Sequence, residues 1–415
     1  MGMLDGGMLD AMSRLIWPAV RRVLARAREG QLEMRLPDGR VVAFGLPSDA
    51  PAAAIEVRRW GLFRRLATGG DIALGEAYVD GDWTTPDLVV ALTWLERNRA
   101  RIEGGVGPLA AVARRRRSDP RAPASGTAQG SRENIHRHYD LGNAFFGLFL
   151  DDTLTYSSAR FAGPREEPLE AAQERKIDLV LGKAAISAGA RVLEIGSGWG
   201  TLAMRAAERI GAQVQSLTLS DQQLRLARAR ARERGLEDRV RFELADYRQA
   251  RGTFDAVVSV EMLEAVGDRW YGAFFETLDR VLKIGGRAVL QTILIADARY
   301  PGYRKHADWI QKHIFPGGIV PSLSALTAAM ARKSSLAVTH LETFGNDYAR
   351  TLALWRRRLR ARADEARSLG FDESFLRKWD YYLAYCETGF RERELTVAQL
   401  VLARPGENSL LDAKR

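Results

Sequence analysis

The run Val192-Leu193-Glu194-Ile195-Gly196-Ser197-Gly198-Trp199-Gly200 sends an apolar strand into a glycine turn, with a helix expected from about Thr201. Glycines at such a turn let the backbone reverse sharply and let a ligand approach with no Cβ in the way. The spacing is G-x-G-x-G, with Thr201 where a dinucleotide fingerprint would place its last glycine, and the acidic Glu194 precedes the first glycine. That arrangement favours S-adenosylmethionine over a nicotinamide dinucleotide, although an ordinary strand-to-helix turn could use the same residues. Two later segments add suitable polar groups. Leu217-Thr218-Leu219-Ser220 ends the next strand with hydroxyls for a ribose, and Ala245-Asp246-Tyr247 follows a third strand with an acid for an adenine amine. Asp246 suits an uncharged purine better than a phosphate. His136 and His138 lie two residues apart with no cysteine nearby, so hydrogen bonding is expected of them and not metal ligation. Cys386 is expected to be a buried small residue on a helix, since no paired base is evident.

The elements that must position these residues alternate. Strands are predicted at Arg191–Ile195, Val214–Leu219, Val240–Leu244, Ala256–Val260 and Ala288–Ile293, with helices at Gln222–Arg234 and Trp270–Leu282 between them. Such alternation predicts a mostly parallel sheet covered by helices on both faces. Upstream, residues 8–29 read as an amphipathic helix interrupted near Pro18. Leu32–Leu36 and Val41–Phe44, around Pro37-Asp38-Gly39, read as paired strands. The boundaries expected are an N-terminal α+β domain at 1–113, a linker at 114–130 rich in small and polar residues, and the α/β domain at 131–415.

The 415 residues carry 62 Lys+Arg against 52 Asp+Glu, a net charge of +10 that attracts polyanions. Arginines interleaved with apolar residues at 8–29 and 351–362 suit an interfacial basic helix at an anionic membrane; a solvated helix face is the competing reading. The single cysteine implies a reducing compartment, the cytosol. No stretch approaches the roughly 18 apolar residues of a membrane span, and Asp5 and Asp10 do not suit a signal peptide.

Several segments resemble the cyclopropane fatty acid synthases and mycolic acid methyltransferases, over about residues 130 to 405. These are Asn134-Ile135-His136-Arg137-His138-Tyr139-Asp140-Leu141-Gly142-Asn143, Leu154-Thr155-Tyr156-Ser157-Ser158, the glycine turn and Leu217-Thr218-Leu219-Ser220-Asp221-Gln222-Gln223. Ser259-Val260-Glu261-Met262-Leu263-Glu264, Ile314-Phe315-Pro316-Gly317-Gly318 and Asp347-Tyr348-Ala349-Arg350-Thr351-Leu352 complete the set. More weakly, Gly75-Glu76-Ala77-Tyr78-Val79-Asp80-Gly81-Asp82-Trp83 resembles part of the lipid-binding domain that precedes the catalytic domain in bacterial phospholipid cyclopropane synthases.

The resemblance implies a Rossmann-like class I S-adenosylmethionine-dependent methyltransferase domain behind a smaller α+β lipid-binding-type domain. The activity implied is transfer of a methyl(ene) group to the double bond of an unsaturated acyl chain in a membrane phospholipid, giving a cyclopropane, or a methyl-branched chain if the ring does not close. By position it places Tyr156, Ser157, Gly196, Gly198, Thr218, Leu219 and Gln223 against the cofactor, with Asp246 and Tyr247 near the adenine; Glu194 joins them from the glycine turn. Glu264 and Tyr348 match side chains that hold a bicarbonate in the family, and Ile293 falls where a backbone amide does so. Ser158 stands where the family has cysteine and Gln291 where it has histidine. The partners implied are acyl chains at an anionic membrane on the cytoplasmic side, with a homodimer allowed on the resemblance alone. A nucleic-acid methyltransferase would suit the charge, but the chain has no Asn/Asp-Pro-Pro-aromatic motif and no cysteine near the cofactor strands.

An alkene is a weak nucleophile, so the reaction asks for in-line positioning and exclusion of water from the cation formed. Phe145, Phe146, Phe149, Tyr303 and Phe315 are candidate walls for that cation, with core packing as the competing role. Proton loss then decides the product. Ser158 and Gln291 can donate hydrogen bonds to an anion but cannot relay a proton at neutral pH, which leaves Glu264 to act directly or through water.

Overall fold

The computed structural model describes residues 6–47, 49, 51–104, 141–164 and 166–406. The expected linker, His136 and His138 lie outside them. The chain forms two compact units, the smaller drawing on Met1–Pro120, Lys305–Lys312 and Leu359–Glu392.

In the smaller unit, β1 (Gln31–Arg35) and β2 (Val41–Gly45) pair antiparallel, and β3 (Ala53–Val57) and β4 (Trp83–Thr84) complete a sheet of order β2-β1-β3-β4. The turn between the first two is closed by the Leu36 N–H donating to the Arg40 carbonyl at 2.8 Å, with Gly39 at φ +86°. The helix Gly6–Leu24 is anchored by Trp17, whose ring packs on Phe44 and Phe63. The helix Glu373–Arg391 adds Tyr381, which packs on Trp309 and Tyr78. A Cβ on Gly75 would stand 2.4 Å from the Trp309 indole, which explains the glycine that opens the Gly75–Trp83 run.

The larger unit carries β5 (Arg191–Ile195), β6 (Gln213–Thr218), β7 (Val240–Leu244), β8 (Phe254–Val260), β9 (Leu282–Ile295), β10 (Ala337–Thr343) and β11 (Leu395–Ala403). Their order is β10-β11-β9-β8-β5-β6-β7. The first five are parallel, on the segments predicted from periodicity, and β11 and β10 add an antiparallel edge. Apolar residues alternate between two cores with the period of a strand: Leu193, Val257, Leu290 and Leu400 face one, and Val192, Val258, Val289 and Val401 the other. The helices Tyr271–Val281 and Leu323–Lys333 cover the first face; Leu169–Lys183, Thr201–Ile210 and Asp221–Glu233 cover the second.

The order has a functional consequence. From β5 the chain steps outward to β6 and β7, then returns to lay β8 on the other side of β5, so the connections diverge at the β5/β8 pair. In open parallel sheets a crevice forms at such a divergence, beyond the carboxyl ends of the strands. The motifs singled out above lie at those ends.

Candidate active site

At the end of β5 the backbone N–H groups of Gly196 and Ser197 both donate to the Leu217 carbonyl at 2.9 Å, bending the turn back over β6. Gly196, Gly198 and Gly200 take φ of +98°, +50° and +89°. The three do different work. A Cβ on Gly200 would meet Phe242 at 2.7 Å and Ala227 at 3.1 Å, so this glycine lets the helix Thr201–Ile210 pack on the sheet. Among the described residues a Cβ on Gly198 would meet nothing within 4 Å, which leaves open backbone for a ligand.

Beside this cradle, Thr218 Oγ1 lies 3.0 Å from Gln223 Oε1, and the Ser220 N–H donates to Thr218 Oγ1 at 3.1 Å. Leu219 is partly exposed between them. Beyond β7, Asp246 accepts from Arg248 through Nε at 2.8 Å, Nη2 at 2.6 Å and the backbone N–H at 2.9 Å. Burial raises the pKa of Asp246, but these bonds outweigh it and hold the carboxyl below its ordinary value. An adenine amine would find an ionised acid whose orientation Arg248 already fixes. Tyr247, next in the chain, packs its ring on Phe274.

The aromatic residues divide. Phe145, Phe146 and Phe149 are fully buried and pack on one another and on Tyr156 and Trp199, which is the competing role of core packing. Tyr156, partly exposed, carries the ring that this cluster supports, with Trp355 behind it at 5.3 Å. The Tyr303 hydroxyl accepts from the Val320 N–H at 3.3 Å, and Phe315 is partly exposed.

Two carboxylates sit at the ends of β8 and β9. Glu264 Oε1 accepts from the Ile293 N–H at 2.6 Å and from Thr292 Oγ1 at 2.9 Å, while its Oε2 is buried without a hydrogen-bond partner among the described residues. The second is Glu261, to which the sequence reading gave no role. Its Oε1 accepts from the Ser158 N–H at 2.9 Å and the Gln291 Nε2 at 2.8 Å, and its Oε2 accepts from the Tyr348 hydroxyl at 2.7 Å. Ser158, Gln291 and Tyr348 therefore converge on Glu261 and not on Glu264. Both glutamates keep some surface open, yet their carboxyl groups lie deep enough that burial is the main cause of a raised pKa in each. Glu264, with the charge of Glu261 adding to burial, is pushed up to about 7. Tyr348, Gln291, Lys176 and the Ser158 N–H oppose the rise at Glu261.

Strand alternation explains the surroundings. Glu194, Ser216, Gln291 and Gln399 have the parity of Val192, Val214, Val289 and Val401 and so share the face under the helix Leu169–Lys183. Two lysines of that helix reach into this polar row. Lys183 donates to Gln399 and Glu342; Gln399 Nε2 donates to Gln291 Oε1 at 3.0 Å, which turns the Gln291 amide nitrogen toward Glu261. Lys176 Nζ donates to Ser157 Oγ at 2.5 Å. Glu194 accepts from Ser216, and burial pushes its carboxyl up to about 8 against that bond and the charge of Lys176. Cys386 is partly buried in the smaller unit, and burial pushes its thiol far above the nucleophilic range.

The two small molecules implied by the sequence fare differently. S-adenosylmethionine fits: an open glycine turn, hydroxyl and amide groups at Thr218 and Gln223, and an ionised Asp246 match a sulfonium nucleoside. A bicarbonate does not fit. Of the groups expected to hold it, the donors at Ser158, Gln291 and Tyr348 are engaged by Glu261 and the Ile293 amide by Glu264, so another anion would meet two carboxylates.

The sequence model of the mycolic acid cyclopropane synthetase family matches residues 127–400. The tuberculostearic acid methyltransferase of Mycobacterium tuberculosis is 40% identical over 94% of this chain and 96% of that protein. The cyclopropane-fatty-acyl-phospholipid synthase of Escherichia coli is 33% identical over 87% of this chain and 91% of that one. A crystal structure of mycolic acid cyclopropane synthase CmaA1 complexed with SAH and CTAB aligns with a TM-score of 0.60 at 33% identity, covering 65% of this chain and 97% of the other.

Proposed function

The chain belongs to the mycolic acid cyclopropane synthetase family, and we propose that it methylates the double bond of an unsaturated fatty acyl chain carried by a membrane phospholipid. The product we infer is a methyl-branched unsaturated chain with no ring. The observation that carries the reading is one of adjacency. A Cβ on Gly196 would stand 3.4 Å from the Met262 side chain, and Met262 follows Glu261 directly, so the open nucleoside cradle abuts the buried carboxylates.

When bound, S-adenosylmethionine supplies its sulfonium methyl to one alkene carbon. The chain's own residues hold the adenosine at Gly198, Thr218, Gln223 and Asp246, keep water from the reacting carbons with the Tyr156 ring and its aromatic backing, and offer a carboxylate for the departing proton. Release of an open chain is supported by Ser158 and Gln291, which bring neither thiol nor imidazole, and by the 40%-identical relative being named for methyl transfer. Ring closure is favoured by the name of the 33%-identical relative. The test is incubation with S-adenosylmethionine and vesicles of monounsaturated phosphatidylglycerol, then mass analysis of the fatty acids before and after mild hydrogenation. Branched alkene and cyclopropane share one mass gain, but only the alkene takes up hydrogen under those conditions. A hydrogenation-resistant product would overturn the open-chain reading.

Docking on an anionic surface is part of the proposal, and the two basic stretches do not contribute alike. Around 351–362, Arg358 donates to Glu170 at 2.8 Å, Arg360 to Asp380 at 2.7 Å and Arg362 to Glu365 at 2.7 Å, while Arg356 is buried. Those arginines largely serve the fold. The helix Gly6–Leu24 instead exposes Arg14, Arg21 and Arg22 beside Leu15, which is 79% exposed. At about 1 kcal/mol per basic residue near an anionic membrane, R21E/R22E is expected to weaken vesicle binding by about thirtyfold or more. Sedimentation with vesicles of graded phosphatidylglycerol content checks this; binding indifferent to that content would remove the surface role.

A further inference from the structure

We propose that Glu261 is the base that removes the proton after methyl transfer, its own carboxylate standing where the resemblance places a bicarbonate ion. The inference rests on the methyl-transfer reading above and adds to it the identity of the proton acceptor.

The geometry is specific. Three donors from three distant parts of the chain, the Ser158 N–H, the Gln291 amide and the Tyr348 hydroxyl, meet on one side chain. A carboxylate has about four acceptor sites, and Oε1 uses both of its own while Oε2 uses one. Among the described residues nothing else meets Oε2, which leaves one lone pair to take a proton. The backbone carries the arrangement at a cost. Glu261 sits at φ +49°, a left-handed conformation that disfavours a residue with a Cβ, pinned there by its N–H donating to the Gln291 carbonyl at 2.7 Å. Such strain persists only where surrounding structure enforces it, most often at functional sites. The Gln291 amide is itself oriented by Gln399, so the receptor for the carboxylate is built from two layers.

The chemistry balances without another reagent. As the methyl moves, its bond to sulfur breaks and a carbon–carbon bond forms, leaving a cation on the neighbouring carbon. A C–H bond next to that cation then gives its electron pair to a new double bond and its proton to Glu261 Oε2. Among the described residues, the titratable groups facing Glu261 are Lys176, Glu264 and Tyr348. Lys176 and the hydrogen bonds favour the ionised form that a base requires and burial opposes it, while the charge of Glu261 helps keep the neighbouring Glu264 protonated.

The test uses the full chain with Glu261→Gln and Glu261→Gly. The glutamine variant keeps the size of the side chain and loses the base; the glycine variant also relieves the positive φ and frees the three donors. S-adenosylmethionine affinity, read by calorimetry, should stay within about twofold in both, while kcat on unsaturated phospholipid vesicles falls by about a hundredfold or more. Added bicarbonate or formate should restore turnover to Glu261→Gly along a saturating curve and should not affect the wild-type chain. In ¹³C NMR, labelled bicarbonate should bind to Glu261→Gly and not to the wild type. Loss of wild-type activity in carbonate-free buffer, bicarbonate binding to the wild type, or near-normal kcat in Glu261→Gln would each overturn the proposal. If no phospholipid is methylated by the wild type, the functional reading fails instead; bicarbonate binding to the wild type without lipid would still overturn the occupancy assigned to Glu261.

Discussion

Lys176→Met is expected to cost about 3–5 kcal/mol of stability at pH 7 and distinctly less at pH 5. Lys176 is 1% exposed, and its ammonium lies among the carboxylates of Glu261, Asp151 and Glu194. Burial lowers its pKa to about 8 against the pull of those three acids, so it is mostly charged at neutral pH. Methionine keeps the length and apolar stem, so packing changes little and what is lost is the buried cation. The pH dependence follows in sign. Burial already raises the pKa of Glu261, Asp151 and Glu194, so the folded chain binds protons there that the unfolded chain has released; stability falls as pH climbs from the ordinary carboxylate range toward the raised values. Without Lys176 the folded values rise further and the fall steepens. At pH 5 the acids can take up protons and the loss is muted. Urea unfolding at the two pH values checks this. An equal loss at both would mean that Lys176 acts through packing, and no loss at either would remove the buried ion cluster from the account of the fold.

What was legible in the sequence was local. The five parallel strands and the glycine turn follow from short strand-like runs alternating with helix-length segments and from glycine spacing within a few residues, and they lie where expected. The edge pair β10 and β11 was not foreseen. Leu395–Ala403 is a short, nearly continuous apolar run that reads equally as helix or strand, and only its antiparallel register on β9 decides. The recruitment of Lys305–Lys312 and Leu359–Glu392 into the smaller unit leaves no local mark either. Glu261 is the telling case. It stands three residues before Glu264 in a segment already quoted for its resemblance, yet its role depends on partners 103, 30 and 87 residues away and on a positive φ. The resemblance pointed to the donors of an anion site and named bicarbonate as the anion; that Glu261 meets three of those donors instead depends on backbone conformation and not on residue type at any one donor.

The second large effect belongs to the cradle, where Gly198→Val is expected to weaken S-adenosylmethionine binding by about a hundredfold or more while costing only about 1–3 kcal/mol of stability. The argument separates two glycines of one turn. Both have positive φ, so any side chain at either is strained. At Gly200 the added carbon would strike Phe242 and Ala227 in the core, so Gly200→Ala should lose stability first and binding only as the turn shifts. At Gly198 the added carbon would meet no atom of the described residues within 4 Å, so the folded chain is expected to tolerate it, and the branched side chain instead fills the space where the nucleoside must lie against the backbone. Thermal melting and calorimetry on both variants therefore give opposite patterns: a large affinity loss with a small shift in Tm for Gly198→Val, and the reverse for Gly200→Ala. Normal affinity in Gly198→Val would show that the cofactor does not lie over this turn, and the placement of the reacting methyl beside Met262 and Glu261 would fall with it, since that adjacency runs through the same loop.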